Sequence, residues 1–102
     1  MIKAIAISSG KIELARVSQS RLSSSDYRTV VFAPNAATVY RKNSAVKGEP
    51  HNAIASLIAR RQLYGRTIIV GIDVDGAYTN VPRSYVETYT ISRQEKQEEE
   101  KV

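Results

Sequence analysis

The 102-residue chain contains no cysteine and no tryptophan. The first absence excludes disulfides, thiolate nucleophiles and cysteine-ligated zinc or iron–sulfur centres. The second, with one Phe beside six Tyr, leaves the core to Ile, Val, Leu and Ala. Histidine occurs once, at His51, which removes a His-pair metal site and a two-histidine relay. Long apolar runs are missing as well. Residues 2–7 are apolar but give way to Ser8-Ser9-Gly10, alternate like a strand and are too short for a signal-peptide core. No stretch approaches the length of a membrane span. An intracellular, aqueous setting is therefore expected, without membrane, metal or cofactor.

What remains is globular in character, at 42% hydrophobic and 25% charged, and long enough for one domain. That domain is expected over residues 1–94, with residues 95–102 as a charged, flexible tail. The tail carries four Glu and two Lys; the body holds 13 basic against 6 acidic residues, a net +7. Nine of the 13 are Arg, the side chain best suited to bidentate contact with phosphate. A basic body suits an anionic partner such as nucleic acid, and Arg60, Arg61 and Arg66 are the candidate phosphate contacts.

Along the chain, residues 2–7 and 12–17 alternate and predict a hairpin around Gly10. Residues 18–26 hold five Ser and predict a connection with one helical turn at Ser20-Arg21-Leu22. Thr29-Val30-Val31-Phe32 predicts a strand, and Thr38-Val39-Tyr40 a short one. Pro50 suits a first helical turn, and Ile54, Leu57, Ile58 and Arg61 fall at i, i+3, i+4, i+7, so a helix is predicted over about 50–64. Ala55, Ala59 and Gln62 form its second, smaller face. Gly65 is the expected left-handed stop. Residues 67–73, apolar on both faces, predict a central strand. Asp75-Gly76 predicts a hairpin turn, and residues 87–92 a final strand.

The outer thirds resemble each other. Anchoring Val17 on Val81 aligns Ser20 with Ser84 and Leu22 with Val86, so each block reads strand, strand, helical turn, strand. The fold class expected is α+β: a small, mostly antiparallel sheet or barrel of about six strands. It is built from two similar blocks, about 2–33 and 66–92, joined by a linker and helix over 34–65.

The doubled motif, the missing Cys and Trp, the Arg-rich body and the Lys-Gln-Glu-Glu-Glu-Lys end resemble small proteins of filamentous viruses of hyperthermophilic archaea. That resemblance implies a viral protein in the host cytoplasm and brings no active site with it. Locally, the glycine, strand, Pro, short-helix order of Gly76-Ala77-Tyr78-Thr79-Asn80-Val81-Pro82-Arg83-Ser84-Tyr85-Val86 is similar to the AbrB-like DNA-binding pattern. It departs from that pattern where a Gly-Asp step is due, because Glu87 runs straight into Thr88-Tyr89.

Catalytic patterns are incomplete. A strand ending at Asp73, with Asp75 beside it, is how Mg²⁺-holding folds begin, yet Glu87 is the only further acid before the tail. Asp73 is instead expected to cap the Asp75-Gly76 turn. Ser9-Gly10-Lys11 lacks the preceding glycine and following helix of a phosphate loop. His51, next to Pro50, has no partner in the sequence. No enzyme is expected. The suggestive feature is the Tyr and Ser content, a mixture that suits contact surfaces. The expected function is therefore a non-enzymatic interaction module binding an extended peptide or protein segment at a strand edge or inter-block groove. Tyr40, Tyr78, Arg83 and Tyr85 are the candidate contacts, as a monomer or a homodimer; a basic nucleic-acid-binding protein is the alternative.

Overall fold

Runs of β-branched and small apolar residues set the architecture: they form strands, and every strand pairing is antiparallel. The computed structural model describes residues 1–8 and 11–91. In chain order the elements are β1 (Ile2–Ser8), β2 (Lys11–Val17), α1 (Gln19–Leu22), β3 (Tyr27–Ala33), β4 (Ala36–Arg41), α2 (Ala53–Ala59), β5 (Thr67–Ile72), β6 (Tyr78–Thr79) and α3 (Arg83–Val86). A wider π-type helical segment, Glu87–Ile91, follows α3. Strand order is β2-β1-β5-β4-β3, with β6 added to β5. The α+β, mostly antiparallel expectation is met. The expected Gly10 turn and the 95–102 tail lie outside the described residues.

β5 is central because it is apolar on both faces: Thr67, Ile68, Ile69 and Val70 are all buried. β4 runs along one of its sides. The other side is shared, β1 pairing at Thr67 to Ile69 and β6 at Gly71 and Ile72. Where β1 parts from β5, the chain after β6 takes over. The Lys3 N–H donates to Asn80 Oδ1 at 2.9 Å, and the Val81 N–H donates to the Lys3 carbonyl at 2.9 Å. Gly71 permits this crossing, since a Cβ there would lie 2.2 Å from the Asn80 carbonyl oxygen.

The sheet is packed on both faces. One carries Ile2, Ala4, Ala37, Val39, Ile68 and Val70 under Leu22 of α1. The other carries Ile5, Ile7 and Ile69, covered by Ile54 and Ile58 of α2 and by Val81, Tyr85, Val86 and Tyr89. Ile5, Ile7 and Ile69 are fully buried, which stabilises by about 1.5–3 kcal/mol per side chain. Among the described residues no helix is long and apolar enough to cross a membrane.

Two expected elements differ. The helix predicted over 50–64 is shorter. The Asn52 side chain accepts from the Ala55 N–H and starts α2 there, and Arg60, left-handed at φ 58°, ends it before Gly65. Its buried residues are Ala55 and Ala59, the small face, while Leu57 is 81% exposed. Small side chains let the helix lie close to the sheet, with Ile54 and Ile58 reaching down beside them. The strand predicted over 87–92 is helical through Ile91. Helical spacing brings Tyr85, Val86 and Tyr89 together onto the sheet, whereas alternation would turn half of that run to solvent. The Arg83–Glu87 ion pair, four residues apart at 2.9 Å, fits the helix as well.

Candidate functional site

The three nominated tyrosines converge on β3, one of the two edge strands, from both faces of the sheet. Tyr40 sits opposite Arg28 in the β3–β4 register. The Tyr78 hydroxyl hydrogen-bonds Thr29 Oγ1, its ring packed on the face of Val70 and Ala37. Tyr85 meets Phe32 edge-on, with ring centroids 5.6 Å apart. All three are half-buried; Tyr78 and Tyr85 contact side chains of β3, while Tyr40 packs against the Ala55, Ala59 and Leu63 cluster. Arg83 stands apart, exposed and paired with Glu87.

β3 itself ends the strand path, and among the described residues its outer side pairs with no strand. Arg28, Thr29 and Val31 are exposed on it, Val31 at 57%. A register shift between Val31 and Ala33 marks the end of regular pairing. The sequence showed the β-branched run but not that it would lie at an edge, because β3's place depends on which strands β5 accepts.

The candidate phosphate-binding arginines are not brought together. Arg60 and Arg61 line a shallow depression on the outer side of α2, with His51 and Leu57. Arg66 directly precedes β5 and lines a different cleft of about 400 Å³. Its other arginines are Arg16, Arg21 and Arg41, which no sequence spacing links. β2 and α1 supply the first two; Arg41 ends β4 one residue beyond the Tyr40–Thr67 pair. A hydrogen bond with Tyr27, and the charge of that group once ionised, raises the pKa of Arg41. Leu22 and Ile68 give the cleft an apolar wall, and Glu49 is its acidic residue. Ser44 also lines it, 3% exposed, with a buried Oγ that has no hydrogen-bond partner.

The remaining motif residues have local partners. Asp73 Oδ1 accepts from the Asp75 and Ala77 N–H groups, both at 2.9 Å, the turn cap expected of it. His51 Nε2 lies 3.2 Å from Ser56 Oγ, and its ring meets Tyr64 edge-on. Among the described residues no group of three or more His, Asp or Glu is placed to hold a metal ion. Comparison with protein-family models, with curated proteins and with solved structures finds no match to the chain.

Proposed function

We propose that the protein is a non-enzymatic interaction module that takes an extended peptide segment as an additional strand on the outer side of β3. The observation that carries this reading is a seven-residue, β-branched edge strand with no strand on its outer side. Such an edge offers main-chain N–H and C=O groups for affinity and alternate side chains for choice. Tyr78 and Tyr85, one on each face of the sheet, support β3 rather than touch the partner. A strand fixed from both faces loses little freedom on binding, which leaves more of the contact energy as affinity. Exposed Arg28 and Val31 favour a segment that combines acidic and apolar residues. Of the expected block order, strand, strand, helical turn recurs in β1-β2-α1 and β5-β6-α3, but the fourth element is the strand β3 in the first block and helical in the second.

The test is a screen of extended peptides against the wild-type chain and Val31→Lys. Val31 is exposed, so the substitution should move stability by no more than about 0.5 kcal/mol. A lysine on an edge strand opposes strand addition. Peptides captured by wild type should be lost with Val31→Lys and kept with Leu57→Lys on α2. Capture that survives Val31→Lys, or no capture by the wild-type chain, refutes the reading.

A further inference from the structure

The cleft at the β4–β5 end of the sheet has properties that strand addition does not use. Four arginines line it against one carboxylate, Glu49. None of the four forms an ion pair with a carboxylate among the described residues. Arginines close together repel one another unless an anion lies between them, and the guanidinium fork matches a tetrahedral oxyanion. The second observation is independent of charge. Ser44 Oγ is buried and unpartnered at the cleft wall, and a buried hydroxyl without a partner costs stability. Its backbone is pinned: the Ser44 N–H donates to the Arg41 carbonyl, and the Ser44 carbonyl accepts from the Glu49 N–H. The hydroxyl is thus held at the cleft wall, on the side of Gly65 and the Glu49 carboxylate, with a proton to donate.

From these observations we infer that the cleft binds a phosphomonoester. Its phosphate meets Arg41, Arg66 and Ser44 Oγ, and its body lies along Leu22 and Ile68. A volume of about 400 Å³ is the size of a small-ligand site and holds a mononucleotide. The mixed lining fits a ligand with an ionic head and a less polar body. Glu49 disfavours a second negative charge deep in the cleft, which favours one phosphate group over a polyphosphate. This site is separate from the outer side of β3, and its failure would leave the strand-addition reading untouched.

The probes are inorganic phosphate, AMP and a short single-stranded oligonucleotide without terminal phosphate, titrated into the full chain at low salt. Binding is read by amide chemical-shift changes and by calorimetry. AMP should bind more tightly than inorganic phosphate, with shifts at Arg41, Ser44 and Arg66. The Arg41→Ala/Arg66→Ala double variant should weaken AMP at least tenfold, roughly the loss of one charge-assisted contact or more. Ser44→Ala should weaken AMP while leaving the melting temperature of the free protein unchanged or higher, a pairing that a merely structural serine would not give. Glu49→Gln should tighten binding. No shift at these residues up to about 10 mM AMP would overturn the inference. So would an oligonucleotide that binds more tightly than AMP and is insensitive to Ser44→Ala; that result would indicate a nucleic-acid backbone track instead.

Discussion

Asn52→Ala is expected to be the most damaging single side-chain deletion outside the apolar core. Asn52 is 2% exposed, and its side chain joins three parts of the chain. Oδ1 accepts from the Ala55 N–H at 3.1 Å and caps α2. Nδ2 donates to the Ile7 carbonyl on β1 and to the Gly65 carbonyl before β5, both at 2.9 Å. Truncation removes the cap, at about 1 kcal/mol. It also leaves two carbonyls without their donor, at about 1–3 kcal/mol each, the lower end applying to part-buried Gly65. The sum is about 3–5 kcal/mol, a third or more of the stability typical of a domain this size. Urea unfolding followed by circular dichroism should show the midpoint fall with little change in slope. The melting temperature should drop by roughly 15–25 °C. Asn52→Asp separates the contributions. A carboxylate keeps the cap but offers no proton to either carbonyl, so this variant should be no better than Ala at neutral pH. It should recover partly in acid, where the carboxyl group can donate once. A cost below about 1 kcal/mol for Asn52→Ala would refute the reasoning, because the cap alone would then account for it.

Gly71→Ala should destabilise by about 1–3 kcal/mol or more, since the new methyl would meet the Asn80 backbone as well as Thr79 Oγ1, and the backbone cannot swing away; a neutral result in thermal unfolding would show that the β6 crossing gives way freely. Burial, and after it the neighbouring Tyr85, raises the pKa of Tyr89. The unfolded chain therefore releases the Tyr89 proton first as pH climbs. Stability is full below the ordinary tyrosine range and falls as pH rises through it toward the higher folded value. Tyr89→Phe should flatten that decline in unfolding midpoints measured across alkaline pH.

Much of the fold was legible because local pattern and environment agreed. The alternation of residues 2–7 and 12–17, the β-branched run at Thr29 and the doubly apolar run at Ile68 each specify a strand that the structure contains. Asp73 was legible as a turn cap because the cap is local. The predicted helix differs from α2 in length and, at Leu57, in facing, while Ile54 and Ile58 pack inward as expected. Periodicity ranked Leu57 above Ala55, but what governs facing is how closely the helix approaches the sheet. Residues 87–91 carry strand-type side chains, and only the position of the sheet face beneath Tyr85 and Tyr89 makes them helical. Composition singles out the tyrosines but cannot tell a contact surface from the supports of an edge strand. The cleft was not legible at all. Its arginines sit at positions 16, 21, 41 and 66, and they meet only through strand register and a loop that buries Ser44.

The central place of β5 has a consequence for how the chain reaches its native state. The β1–β2 and β3–β4 hairpins each join neighbouring segments, so both can form from short-range encounters. Neither contacts the other's strands in the finished ladder; β5 lies between them and emerges from the ribosome after both. Until it inserts, Ile5 and Ile7 on one hairpin and Val39 on the other have no companion at the open side, and two sticky flanks coexist. Insertion of β5 is then the step that converts separate hairpins into a cooperative unit, and it closes the long loop between β1 and β5. Lesions in residues 67–72 should therefore slow folding and prolong an aggregation-prone species, and lesions in β2 or β3, whose hairpins are in place before that step, should slow it as well.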